Sequence, residues 1–331
     1  MINGHGDDIY GKTIVSNFSS NIYNGFDASS LDAHLREHIS SIHSYPEPDA
    51  ASLASLIGEE NNISSENICL TNGATEAIYL IAQAFRGKMS TVITPTFSEY
   101  EDACEVNEHK LRFLNLLSDF DGNSDLVWLC NPNNPTGKTT DMPLLIEVIK
   151  KFPQVIFVID QSYDFFTLKQ TLQIKEGAAY PNLILLHSMT KRYAIPGLRL
   201  GYITGCESVI DKVRKYCMPW SVNQLAIEAG KYLLQNNFPL NIQSYLSETK
   251  RLANELAKIK GLNVYTEDTN FFLCKLAGRT AKDLKSYMID NHGILIRDAA
   301  NFRGLDEHYF RVATQSFDEN NNLIKAIKEW I

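Results

Sequence analysis

No two of the six cysteines in this 331-residue chain (Cys69, Cys104, Cys130, Cys206, Cys217 and Cys274) stand in a C-x-x-C spacing. A zinc knuckle or local redox pair therefore has no support. Scattered single thiols are expected to be buried cysteines of a reducing cytosol. Long apolar runs are missing as well, since no stretch approaches the ~18 residues of a membrane-spanning helix. The opening residues, "MINGHGDDIYGK", lack the apolar segment of a secretory signal, and the expectation is a cytoplasmic protein. There is no excess of positive charge. The net charge of −8 argues against non-specific binding to nucleic acid or anionic membranes. It leaves open an anionic small substrate held by local arginines. There is no internal repeat and no low-complexity linker. No G-x-G-x-x-G follows the first strand-like run, and "GKTT" at 137–140 fails as a phosphate loop because Pro132 stands where such a loop needs glycine.

What is present is an apolar fraction of 44%, enough for one large domain and a smaller one. The runs "ENICLT" (66–71), "STVITP" (90–95), "DLVWLC" (125–130), "VIFVID" (155–160), "NLILLHS" (182–188) and "LRLGYIT" (198–204) read as strands. Helix-like segments separate them, the first being "ATEAIYLIAQAF". Strands apolar on both faces predict a mostly parallel central sheet flanked by helices. From about residue 222 the pattern shifts to long helical stretches and short strands ("LNVYTE", "NFFLCKL", "GILIRDA", "YFRVAT"). The expected fold class is α/β, with residues 41–225 as the large domain. Residues 226–331 form a smaller α+β domain, onto which residues 1–40 fold back.

Open α/β sheets bind ligands beyond the carboxyl ends of their strands, so the residues after each run carry the functional reading. After "ICLT" come Gly73, Ala74 and Thr75, small residues opening a helix whose N–H groups suit an anion. After "VITP" comes Phe97, and after "VWLC" comes "NPNNPTG" with Asn134. "VIFVI" ends in Asp160, followed by Tyr163. "LILLH" leads to Ser188, Lys191 and Arg199. Each residue alone has a bland reading: a solvated lysine, a helix-capping aspartate, a tight turn. The ordered set of anion site, aromatic, amide, carboxylate with phenol, and amine suits a phosphorylated, pyridine-like aldehyde. Lysine forms a Schiff base with an aldehyde, and a carboxylate keeps a ring nitrogen protonated.

The stretches "NGATEA", "NPNNPTG", Asp160…Tyr163 and "KRYAIPGLRLGY" resemble the fold type I pyridoxal-phosphate enzymes of the aspartate aminotransferase superfamily. "HGDD" (5–8), "NFSSNI" (17–22), "YPEPD" (45–49), "MPWSVNQLA" (218–226) and "ILIRDAANFRGLDEHYFRVA" (294–313) are most similar to the threonine-phosphate decarboxylases of cobalamin biosynthesis, a family near the histidinol-phosphate aminotransferases. The resemblance implies pyridoxal 5'-phosphate as cofactor and Lys191 as the residue bonded to it. Asp160 would pair with the ring nitrogen, Tyr163 and Asn134 with the ring oxygen, and Phe97 would stack on the ring. Gly73, Ala74, Thr75, Ser188 and Arg199 would hold the phosphate. Tyr45 would reach the phosphate of the neighbouring subunit, which implies a homodimer. His5, Gly6, Asn21, Asn134 and Arg297 would line the substrate pocket, and Arg311 would clamp a carboxylate. No metal is implied. The sequence departs from the family at Asp7, at Gln161-Ser162, at Ala299 and at Gln315, where glycine, Glu-Ala, cysteine and arginine are usual. A hydroxyl at Ser162 is thereby brought near the ring. The implied reaction is decarboxylation of L-threonine O-3-phosphate to (R)-1-aminopropan-2-yl phosphate. Transamination of histidinol phosphate with 2-oxoglutarate is the alternative, and a cofactor-binding sensor without catalysis is a third.

Overall fold

The computed structural model describes residues 11–331. Its centre is a seven-stranded sheet in the order Ile68–Thr71, Gly201–Gly205, Leu183–Ser188, Ile156–Asp160, Leu126–Cys130, Met89–Ile93, Lys110–Leu114. Six strands run one way, and Gly201–Gly205 is antiparallel to both of its neighbours. Alternate residues leave the central strands on opposite faces. Trp128, Val158, Ile184 and Leu186 pack in one core with Ala77, Ile78 and Ile81 of the helix Gly73–Ala84. Val127, Leu129, Phe157, Ile159, Leu183 and Leu185 pack in another with Leu145, Val148 and Ile149 of the helix Met142–Lys151. Cover on both faces is why these strands read as unbroken apolar runs. Each such side chain contributes about 1.5–3 kcal/mol on burial.

Two details differ from the sequence reading. The edge strand Lys110–Leu114 is absent from it, because Lys110 and Arg112 alternate with Leu111 and Phe113 on a half-exposed edge, where charges break the apolar run. The strand expected from residue 198 starts at Gly201, since Arg199 takes a φ of 58°, a left-handed conformation that no strand accommodates.

A four-stranded antiparallel sheet, in the order Arg297–Asp298, Tyr309–Ala313, Phe271–Leu276, Leu262–Tyr265, forms beside the first. Its core takes in Leu252 and Leu256 of the helix Ile242–Ala257, Leu284 and Met288 of Ala281–His292, and Leu323 and Ile327 of Phe317–Trp330. Ser16–Asn17 pairs in parallel with Ile294–Leu295, and Phe18 is wholly buried in this same core. Leu31, by contrast, packs with Leu53, Leu200 and Ile227 in the layer that joins the helices Ser29–Glu37 and Gln224–Gln235 to the large sheet. Among the described residues no helix is long and apolar enough to cross a membrane.

Candidate active site

The parallel register sets Cys130 beside Asp160 and Asp160 beside Leu186, so two strands finish level and the third runs two residues further, to Ser188. A cavity of about 210 Å³ opens there. Eleven of the residues singled out in the sequence line it: Ala74, Thr75, Phe97, Asn134, Asp160, Tyr163, Ser188, Lys191, Arg199, Arg297 and Arg311.

At one end the helix Gly73–Ala84 begins without a side-chain cap, because Asn72 makes none. Its first N–H groups are those a helix leaves for an anion. Gly73, at φ 80°, sits just outside the lining. A Cβ on it would lie 2.5 Å from the Arg199 guanidinium, and one on Gly201 would lie 2.8 Å from the Ala74 nitrogen. These two glycines let the arginine and the helix end close on one point. Ser188 is adjacent, its Oγ accepting from the Thr190 N–H at 3.3 Å.

Asp160 ends its strand with a buried carboxylate that three donors hold. The Tyr100 hydroxyl donates to Oδ2 at 2.7 Å. The Ser162 N–H and hydroxyl donate to Oδ1 at 2.9 and 2.6 Å. Burial raises the Asp160 pKa, while Ser162, Tyr100 and the charge of Lys191 pull it back. The Ser162 hydroxyl, expected near the ring, therefore donates to this carboxylate. Tyr100, which the sequence reading missed, stands three residues after Phe97 on a short helix, and the rings meet edge-on at 5.9 Å. The i, i+3 spacing was the available signal.

Lys191 reaches across to the Ser20 carbonyl at 3.0 Å. The Tyr163 phenol is pushed up to about 12 by burial, with Arg311 acting against the shift. Asn21 is fully buried beside that phenol, in a left-handed conformation (φ 57°). Its amide makes no well-formed hydrogen bond with the described residues, yet it lies close enough to the Tyr163 phenol to oppose that group's upward shift, which leaves a buried amide poorly satisfied. Arg311 is buried and donates to Asn134 Oδ1 and to the Ser19 carbonyl. The strand register sets Arg297 opposite it. Arg297 donates to the Asp298 carbonyl at 2.7 Å and to Asn301 Oδ1 at 2.8 Å. Asn134 is free to turn inward because Asn131 and Asn133 fasten the loop, Asn131 to Thr140 and Asn133 to Thr96, Thr136 and Pro95.

Tyr45 stands apart. It is 84% exposed and packs on Trp220, ring centroids 5.1 Å apart. His5 and Gly6 lie outside the described residues.

The arrangement fits a flat phosphorylated heterocycle. An uncapped helix end with an arginine faces one way, a fastened carboxylate lies deep in the cavity, and an amine stands near that carboxylate, while the Asn21 amide is buried beside the phenol, outside the lining. The comparisons agree. Threonine-phosphate decarboxylase of Salmonella typhimurium is 31% identical over 94% of this chain and 90% of its own. The crystal structure of L-threonine-O-3-phosphate decarboxylase from Porphyromonas gingivalis is 39% identical, covers 96% of this chain and 99% of that one, and superposes with a TM-score of 0.93. Histidinol-phosphate aminotransferase of Caldanaerobacter subterraneus is 30% identical over 89% of this chain and 87% of its own. Residues 13–327 match the family described as "Aminotransferase class I and II". The chain belongs to that family, with its fold type I architecture and its cofactor, pyridoxal 5'-phosphate.

Proposed function

We propose that the chain decarboxylates L-threonine O-3-phosphate to (R)-1-aminopropan-2-yl phosphate for cobalamin synthesis. The observation that carries this reading is the pair of buried guanidiniums, Arg297 and Arg311, opposite each other in register at the cavity. An amino-acid phosphate has two anionic groups for them, a carboxylate and a phosphate monoester. Histidinol phosphate has one, although 2-oxoglutarate, the second substrate of the alternative reaction, also has two, so the pair favours a doubly anionic substrate and family likeness favours which one. The 39% identity over nearly the whole chain to a threonine-phosphate decarboxylase supports the same choice.

When bound, the cofactor supplies a covalent link for the substrate amine and an electron sink for the bond broken at Cα. The residues take the following parts. Lys191 bonds the cofactor and, once displaced, moves the proton to or from Cα. Asp160, kept an acceptor by Tyr100 and Ser162, holds the proton on the ring nitrogen. The Asn134 amide N–H and the Tyr163 phenol donate to the ring oxygen, and Phe97 covers the ring face. The N–H groups of Gly73–Thr75, with Ser188 and Arg199, take the cofactor phosphate. Arg311 forks the substrate carboxylate. Arg297, Asn21 and Asn134, together with His5 and Gly6, line the rest of the substrate pocket. Whether CO₂ or a proton is lost would follow from how Arg311, Arg297, Asn21 and Asn134 orient the substrate against the bound cofactor.

The chain acts as a homodimer in this reading. Tyr45 completes the partner's phosphate site, and the exposed Trp220 packed on it lies in the interface together with the exposed Ile39, Ile42 and Met218. Residues 41–225 serve as the cofactor-binding unit, and 226–331 with 1–40 as the unit that closes on substrate, except for the helices Ser29–Glu37 and Gln224–Gln235, which pack with the large sheet and stay with it.

The deciding experiment supplies O-phospho-L-threonine to the pyridoxal-phosphate-loaded protein and measures CO₂. Release of CO₂ with formation of an amine phosphate is the expected result. No CO₂, together with glutamate formed from histidinol phosphate and 2-oxoglutarate, would replace this reading by transamination. Sedimentation at micromolar protein checks the dimer, and a monomer that decarboxylates at full rate would remove Tyr45 from the site.

A further inference from the structure

Away from the cavity, the helix Ser29–Glu37 and the helix Gln224–Gln235 carry His34, His38 and Glu228 to one place. One ligand atom from each lies within 4.8 Å of the other two. The geometry points to a divalent transition-metal site here, of the zinc class, that clasps the 29–38 segment to the helix Gln224–Gln235. His34 and His38 are four apart, so they share a helix face, and their rings lie 4.1 Å apart.

The chemistry of the donors favours a metal over a hydrogen-bonded cluster. His38 Nδ1 lies 2.8 Å from the His34 carbonyl oxygen. A carbonyl only accepts, so Nδ1 carries the hydrogen and the lone pair is left on Nε2. A backbone carbonyl fixing one ring nitrogen so that the other can ligate is a recurrent outer-shell arrangement of metal-binding histidines. His34 Nε2 is sealed from solvent and has no hydrogen-bond partner among the described residues. Tyr232 stacks on the His34 ring at 4.4 Å and 22°, which fixes its plane. Glu228 spends Oε1 on Gln224 Nε2 at 2.8 Å, an outer contact that orients a carboxylate. Two imidazoles and one carboxylate suit zinc and disfavour magnesium or calcium. Tetrahedral ligands at ~2.0–2.1 Å stand roughly 3.3 Å apart, so the three side chains close by at most about 1.5 Å, a change that small rotations supply. The fourth position falls to water.

The test uses the pyridoxal-phosphate-loaded protein, freed of unbound cofactor, with Zn²⁺ in equilibrium dialysis and Co²⁺ as the spectroscopic probe. Wild type is expected to bind one Zn²⁺ per chain and to show the d–d absorption of four-coordinate Co²⁺ with nitrogen and oxygen ligands. His38→Gln and Glu228→Gln, both at partly exposed positions, are each expected to weaken binding by at least about 100-fold, while unbound wild type and variants melt alike. Equal Zn²⁺ uptake by wild type and both variants overturns the proposal, as does no uptake by wild type. A Co²⁺ spectrum dominated by thiolate charge transfer also overturns it, because the metal would then sit on cysteines such as Cys69 and Cys217.

Discussion

The two sides of the cavity are wired differently. At Asp160 the protein closes its own hydrogen bonds: three donors converge on one carboxylate, and the tyrosine among them is itself stacked on Trp128. Around Asn21, Arg297 and Arg311 the bonds are provisional. The bonds of the two guanidiniums include ones to backbone carbonyls and amide oxygens, and among the described residues one buried amide makes no well-formed hydrogen bond. A group finished in advance costs nothing to organise when the ligand arrives. A guanidinium bond to a neutral carbonyl or amide oxygen gives way readily to one with a carboxylate or phosphate, which is charged on both sides. The first side suits a ligand that stays, and the second suits ligands that come and go.

Substitutions on the first side should therefore damage every reaction alike, and those on the second should change which substrate is used. Lys191→Ala is the largest: we expect a fall in turnover on the order of 10⁴-fold or more on any substrate, with loss of the visible absorption of lysine-bound cofactor. Turnover near wild type would break the comparison at its root. Arg311→Lys keeps the charge and loses the fork. It should lower kcat/KM for O-phospho-L-threonine about 100-fold, mostly through KM, and leave the cofactor absorption as it was. A loss of cofactor instead would show that the two sides are one. Tyr100→Phe removes one of the three donors to Asp160. The expected loss is about 1–3 kcal/mol of stability in urea unfolding and roughly tenfold in kcat, equal for all substrates.

The same division decides what the sequence made legible. Asp160 and Ser188 end strands, and Phe97, Asn134 and Lys191 come soon after one, so a rule about strand ends found them in chain order. The large sheet was legible because buried strands are apolar throughout. Asn21, Arg297 and Arg311 meet only after residues about 290 apart are folded together, and no local pattern announces that, so they entered through family likeness alone. Ser162 could be placed near the site, but its bond to Asp160 depends on a side-chain rotation that residue identity does not specify. Cys69 and Cys217 tell the same story: no spacing pairs them, yet their sulfurs lie 3.5 Å apart. The cluster of His34, His38 and Glu228 was half visible as an i, i+4 histidine pair, and its third member comes from a helix about 190 residues away.

The smallest effect isolates what the donors to Asp160 accomplish, because Asp164 is a nearby carboxyl without them. It stands four residues further on, partly buried, with Oδ1 sealed and unpartnered. Burial pushes its pKa up to about 7, against weaker opposing pulls from the Phe165 N–H and Arg192. An unfolded aspartate titrates near 3.9, so between that pH and about 7 the folded state holds a proton that the unfolded state has released. Folding is then favoured at low pH, and this contribution drains away as pH rises through about 7. Solvent reaching the other oxygen discounts the full linkage value, leaving on the order of 1–2 kcal/mol between about pH 5 and pH 8. Asp164→Asn, which cannot ionise, should flatten that part of the stability profile and be the more stable form at pH 8, as read from urea midpoints at each pH. If wild type and variant follow parallel profiles, Asp164 is already ionised in the folded protein, and a carboxylate here needs no Tyr100 or Ser162 to stay charged. The three bonds at Asp160 would then serve to aim it at the ring nitrogen and not to keep it ionised.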